Sequence, residues 1–196
     1  MSEIKQINHK FNGQLRQRQR TDTIVVHHSA SHDVSAAEIH NWHINQGWAG
    51  IGYHFVIRKN GDIQTGRHHG TIGAHAGAKI NPLSVAICLT GNFDVLSPTS
   101  HQIDALRGLY GLLKGIYGQG ITMTRHSDHL PTKCPGSNFD LEAVIKNNAN
   151  NTNNWADDAI GWATNNNISD GSRLLEHATR QEVITMLYRF NNLMKG

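Results

Sequence analysis

From Thr23 to His28 the chain reads TIVVHH, a β-branched apolar run that predicts a buried strand. Tyr53, Phe55 and Ile57 alternate with His54, Val56 and Arg58, the period-two pattern of a second strand. Asn60-Gly61 then turns that strand back into Ile63 to Thr65 as a hairpin. Ser84 to Thr90 (SVAICLT) is another apolar strand, and Ile121 to Thr124 a short one. Between these runs the spacing becomes helical. Ser35-Ala36-Ala37-Glu38 is a capping box opening a helix with Ile39, Trp42 and His43 on one face. Thr99 to Gln102 repeats the signal before a helix that turns Ile103, Leu106, Leu109, Tyr110, Leu113 and Tyr117 toward a core. Asp140 caps a shorter helix ending near Lys146. Hairpins and crossover helices in this order predict an α/β domain over residues 1–146, with a mixed central sheet flanked by helices.

The pattern changes after Lys146. Residues 147–154 read NNANNTNN, a polar low-complexity linker with no means of building a core. Two amphipathic helices follow in residues 155–196. One carries Trp155, Ala159 and Trp162, and the other, opened by a capping box from Thr179 to Glu182, carries Val183, Met186, Leu187 and Phe190. A helical segment this small is marginal alone and is expected to dock on something.

A length of 196 residues fits one domain with a small appendage, and 38% hydrophobic with 17% charged residues reads as globular. No run reaches the ~20 apolar residues of a membrane span, so membrane insertion is not expected. Met1 to Arg20 lacks the apolar core of a secretory signal. The chain is therefore expected to be made in the cytoplasm and released by another agent. A formal charge of +3 supports weak attraction to polyanions without naming one. The helix from Ile103 to Tyr117 carries only Arg107 and Lys114, too few for a nucleic-acid recognition helix, so nucleic acid is not an expected partner. With two cysteines a disulfide framework is implausible, and Cys88, mid-strand, reads as a buried free thiol.

Fourteen histidines are many for this length, and they come in pairs. His27 and His28 end a strand, where successive side chains point to opposite faces, so one of them can reach a site at the strand end. The loop from His126 to Gly136 adds the imidazoles of His126 and His129 and the thiol of Cys134. One strand imidazole, one loop imidazole and a thiolate make three ligands. Three protein ligands leave a tetrahedral zinc one position for water, as in catalytic sites, whereas a fourth ligand from the second loop histidine would make the site structural.

Read in order, Val26-His27-His28-Ser29-Ala30, Gly52-Tyr53-His54-Phe55-Val56-Ile57, His126-Ser127-Asp128 and Pro131-Thr132-Lys133-Cys134-Pro135-Gly136 resemble the type 2 N-acetylmuramoyl-L-alanine amidases. That family includes phage lysins and peptidoglycan recognition proteins. Trp42-His43, the hairpin from Arg58 to Gly66, and Gly73-Ala74-His75 through Asn81 to Ser84-Val85-Ala86-Ile87 extend the likeness over about residues 22–145.

The resemblance implies a zinc hydrolase that cuts peptidoglycan between the lactyl group of muramic acid and L-alanine. It selects His27, His126 and Cys134 as the metal ligands, since the ligand histidine of the loop lies eight residues before the cysteine. Tyr53 and Thr132 correspond to polar groups beside the metal that can donate to the oxyanion, and His75 and Asn81 fall where relatives line the substrate groove. Some phage members carry lysine where this chain has Thr132; here the lysine is Lys133, one position later. The competing reading is a recognition module that holds peptidoglycan without cutting it, but non-catalytic relatives typically lack a ligand, and this chain has all three. A lytic amidase without a secretion signal implies a phage or prophage endolysin released through holin-type pores. Trp155 to Ile160, Asn167 to Gly171 and Thr179 to Phe190 resemble one S-layer homology motif, which implies that residues 155–196 bind a secondary cell-wall polymer.

Overall fold

The computed structural model of the chain describes residues 4–150, 155–170, 172 and 178–193. Its strands are β1 (Ile4–Lys5), β2 (Thr23–His28), β3 (Phe55–Ile57), β4 (Ile63–Thr65), β5 (Ser84–Leu89) and β6 (Thr122–Arg125), joined in one sheet of order β1-β4-β3-β5-β2-β6. β3 and β4 form the expected antiparallel hairpin, with Ile57 opposite Ile63. The pairs β1–β4, β3–β5, β2–β5 and β2–β6 are parallel. The helices are α1 (Ala36–Asn45), α2 (Gly77–Ile80), α3 (Ser100–Tyr117), α4 (Leu141–Asn150), α5 (Trp155–Asn165) and α6 (Arg180–Leu193).

The mixed α/β architecture is the expected one. β2 and β5 are buried along their whole length, which explains why both read as continuous apolar runs rather than alternating ones. The pleat divides their side chains between two layers. Ile24, Val26, Ile87 and Leu89 share a core with Leu106, Leu109 and Leu113 of α3 and with Leu141 and Val144 of α4. Val56 and Cys88 face the other way, toward Val34, Ala36 and Ile39 at the start of α1. Each such side chain, fully buried, contributes about 1.5–3 kcal/mol. Cys88 is a buried free thiol, as expected.

Both predicted capping boxes of this domain are present, at Ser35–Glu38 and Thr99–Gln102. Gln102 does more than cap: it is fully buried, and its amide donates to the carbonyls of Thr90 (2.9 Å) and Ile57 (3.3 Å), tying α3 to the sheet. One face differs from expectation. α1 buries Ala36, Ile39, His40 and His43 and leaves Trp42 37% exposed. His40 tolerates burial because its Nδ1 accepts from the Ile51 N–H and its Nε2 donates to the Lys10 carbonyl.

Asp140 caps α4 by accepting from the Ala143 N–H, but the helix runs on to Asn150, past the expected end near Lys146. Residues 151–154 and the side chains of Trp155 and Ala159 lie outside the described residues, as does Gly171. The two C-terminal helices exist as predicted, and Thr179 and Glu182 make the expected reciprocal cap. Their apolar faces stay open among the described residues: Trp162, Val183, Leu187 and Phe190 are 40–61% exposed, and Trp162 and Phe190 touch edge to face.

Candidate metal centre

The site lies at the carboxyl end of β2, where open α/β sheets place their ligands. Alternation along the strand separates the two histidines. His27, 1% exposed, faces the α1 side, while His28 turns to the α3 side, accepts from the Phe93 N–H at Nδ1 and packs against the Phe93 ring. The parallel register pairs Val26 with Arg125, so the next residue of each chain brings His27 beside His126, with ring centres 4.5 Å apart. A tight turn over His126–Asp128 follows, fastened by the Asp128 carboxylate, which accepts from the backbone and side chain of Arg125. The chain then returns: the Ser127 N–H donates to the Cys134 carbonyl, and the Thr132 hydroxyl accepts from the Cys134 N–H.

The outcome is a triad. Cys134 Sγ lies 3.6 Å from His27 Nδ1, and one ligand atom from each of His27, His126 and Cys134 lies within 4.8 Å of the others. His129 stands apart, its Nε2 2.9 Å from the Thr124 hydroxyl. Burial, then neighbouring imidazoles, pushes the His27 pKa well down, and burial lowers that of His126, so both rings are neutral near pH 7. Burial pushes the Cys134 thiol up to about 11.

These residues fit a zinc ion. Bond lengths of about 2.3 Å to sulfur and 2.0–2.1 Å to nitrogen at a tetrahedral angle set the two donors about 3.6 Å apart, which is the observed Cys134–His27 separation. His126 Nε2 is buried and has no hydrogen-bond partner among the described residues, an expense that bound metal chemistry at this ring would explain. Two neutral imidazoles and a cysteine sulfur, which would release its proton and bind as the thiolate, are also a donor set that suits zinc.

Tyr53 packs against the triad, its ring 5.1 Å from that of His27. Burial, followed by the adjacent thiols of Cys88 and Cys134, pushes its phenol well above the ordinary value, so it stays protonated and able to donate. Thr132 is exposed on the loop; its oxygen accepts from Cys134, which leaves its O–H to donate outward. Lys133 is exposed beside it.

His75 and Asn81 are held differently from simple groove walls. His75 Nδ1 is 3.0 Å from His27 Nε2, and its Nε2 is 3.2 Å from the Ser84 hydroxyl. Asn81 Oδ1 accepts from the backbone N–H groups of His75 and Ala76, fixing the loop that carries the ring. Gly52 lets this loop approach: a Cβ there would overlap the Ala74 carbonyl, and Ala74 donates its N–H to the Gly52 carbonyl. Sequence reasoning placed Ser84 in a strand and in a stretch shared with the family, and missed its contact with His75. It also missed the tilted packing of the His43 ring against Tyr53 and the half-exposed Trp48, at 5.7 and 4.5 Å. Neither contact can be read from local pattern, since each arises from the folding together of separate segments.

Residues 17–137 match the family model described as N-acetylmuramoyl-L-alanine amidase. The chain is 38% identical over 141 residues to an endolysin of Enterobacteria phage K11, covering 68% of this chain and 91% of that protein. It is 33% identical over 126 residues to peptidoglycan-recognition protein SC2 of Drosophila melanogaster, covering 59% and 68% respectively. Among solved structures it resembles N-acetylmuramoyl-L-alanine amidase LysC from Clostridium intestinale, with a TM-score of 0.71, 32% identity, and coverage of 75% of this chain and 97% of that one.

Proposed function

The chain belongs to the N-acetylmuramoyl-L-alanine amidase family, and on that footing we propose that it works as a zinc-dependent phage endolysin through His27, His126 and Cys134. Its activity is hydrolysis of the amide between the lactyl group of muramic acid and L-alanine, and peptidoglycan is its substrate. The observation that carries the zinc assignment is the 3.6 Å approach of Cys134 Sγ to His27 Nδ1 within a three-residue cluster.

Zinc, when bound, polarises the scissile carbonyl and lowers the pKa of its water toward ~7. The protein's own groups supply the rest. Tyr53, kept protonated by its surroundings, donates to the oxygen that gains charge in the transition state. Thr132 donates to the same oxygen from the loop side while its own oxygen fixes the Cys134 backbone. His75 and Asn81, expected in the substrate groove, act from within the protein, where both ring nitrogens of His75 and the side-chain oxygen of Asn81 are engaged.

Residues 155–196 lie beyond the matched region, and we assign them to wall retention, as a single motif resembling S-layer homology repeats that binds a secondary cell-wall polymer. Among the described residues no helix is long and apolar enough to cross a membrane. Synthesis in the cytoplasm followed by holin-type release is the route consistent with a phage lysin of this kind.

The test is direct. The purified chain, incubated with defined muropeptides, should release the intact stem peptide with a free L-alanine amine, identified by mass. Cys134→Ala should lose its zinc by elemental analysis and its activity, while His28→Ala and His129→Ala retain metal. Full zinc occupancy in Cys134→Ala would remove the ligand assignment.

A further inference from the structure

Ser84 opens β5 and is fully buried. Its hydroxyl lies 2.8 Å from the Ile80 carbonyl, which can only accept, so the one hydroxyl proton is committed there. The Ser84 oxygen therefore presents a lone pair to His75 Nε2 at 3.2 Å, which fixes the His75 proton on that nitrogen. His75 Nδ1 is left as an acceptor, 3.0 Å from His27 Nε2, and that contact in turn fixes the His27 proton on Nε2. What remains on His27 is the Nδ1 lone pair, the atom that lies 3.6 Å from Cys134 Sγ. The direction of the whole chain is set at its far end, by a backbone carbonyl.

Resting on the zinc reading above, we propose that His75 is a positioning residue, which with Ser84 locks His27 in the tautomer whose Nδ1 faces the metal. Metal-bound histidines usually pass their second N–H to a carbonyl, carboxylate or water. Here the receiving group is another imidazole, and the carbonyl acts through two intermediates. The ring of His75 has no freedom to abandon this role. Its backbone N–H is held by Asn81, and Gly73 lies against its face, where a Cβ would come within 2.5 Å of His75 Cδ2. Gly73 is thus a glycine because the ring needs the space.

The decisive measurement is zinc affinity by competition with a chromophoric chelator, on folded protein checked by circular dichroism. His75→Ala should weaken zinc binding about 10–100-fold, the usual consequence of losing the partner of a ligating histidine. His75→Asn places an amide oxygen where Nδ1 stands and should remain within a fewfold of wild type. Ser84→Ala, a small change that leaves His75 in place but frees its tautomer, should weaken binding at least threefold and covers the case in which His75→Ala does not fold. Nitrogen-15 spectra of the zinc-loaded wild type should show both His27 and His75 protonated at Nε2. Wild-type affinity in both His75→Ala and Ser84→Ala, or a His27 ring protonated at Nδ1, overturns this inference and leaves the zinc site standing. A wild-type chain that binds no zinc overturns both.

Discussion

Acid should destabilise this protein in part through a histidine that does no chemistry. His54 is fully buried; its Nδ1 accepts from the Ala86 N–H at 2.8 Å and its Nε2 donates to the Thr71 carbonyl at 2.9 Å. The ring thus stitches β5 to the loop before His75, and it can do so only when neutral, because a proton on Nδ1 would face the Ala86 N–H. Burial first, and then the charge of Arg18, hold its pKa down to about 3, against 6.5 for an unconstrained ring. The sign follows from proton counting. Below pH 6.5 the unfolded chain takes up a proton that the folded one refuses, so stability is complete above that pH and falls as pH drops toward 3. Between pH 7 and pH 4 the loss from this one group is about 3 kcal/mol, at ~1.4 kcal/mol per pH unit over some 2.5 units. That is a large share of a typical domain's 5–15 kcal/mol. The assay is urea unfolding followed by tryptophan fluorescence at pH 7, 5.5 and 4, with the same zinc supplement throughout. His54→Asn keeps an acceptor for Ala86 and removes the titration. The variant should be less stable at pH 7 but should lose about 3 kcal/mol less than wild type on going to pH 4. The other buried histidines act in both proteins, so the difference isolates His54. Parallel stability curves would refute the reasoning.

Tyr53→Phe should fold and keep its zinc but lose about 10²–10³ in kcat on muropeptides, the value of one oxyanion donor; a fall under threefold would make Tyr53 a packing residue. Asp33 accepts two bonds from Arg58 and one each from Thr90 and the Lys59 N–H, and these hold its carboxyl well below the usual range. Asp33→Asn should cost about 2–3 kcal/mol at pH 7 by denaturant titration; because the carboxylate's contribution is present above pH ~4 and lost below it, the gap should narrow in strong acid. Ending the chain after Asn150, where α4 stops, should leave turnover of soluble muropeptides intact and weaken lysis of whole walls. Precipitation or zinc loss in that truncation would show that residues 155–196 are part of the fold instead.

How much of this was legible in the sequence depended on the range of the forces involved. Strands β2 and β5 and the hairpin at Asn60-Gly61 follow from local pattern, because burial on both faces or a tight turn leaves its mark within a few residues. The caps at Ser35 and Thr99 are equally local. Alternation alone allowed only one of His27 and His28 to reach a site, and the family resemblance selected His27 as the first histidine of its strand motif. The burial of His40 in place of Trp42 was not legible, since it depends on Lys10 and Ile51 supplying partners from outside the helix. The inward commitment of His75 was hidden for the same reason: Ser84 and His27 reach it from two different strands.

Among the described residues β6 is a four-residue edge strand that pairs with β2 alone, and the loop it leads into carries both His126 and Cys134. Short edge strands open at low cost. Peeling β6 away and dismantling the triad are therefore one motion, and any ion held by the triad latches the sheet's free margin. The latch joins segments 107 residues apart in sequence, His27 and Cys134, so it closes most of the family-matched region, residues 17–137, into a loop. Amide exchange along β6 should accordingly slow when zinc is added, making the outermost strand a gauge of whether the enzyme is armed.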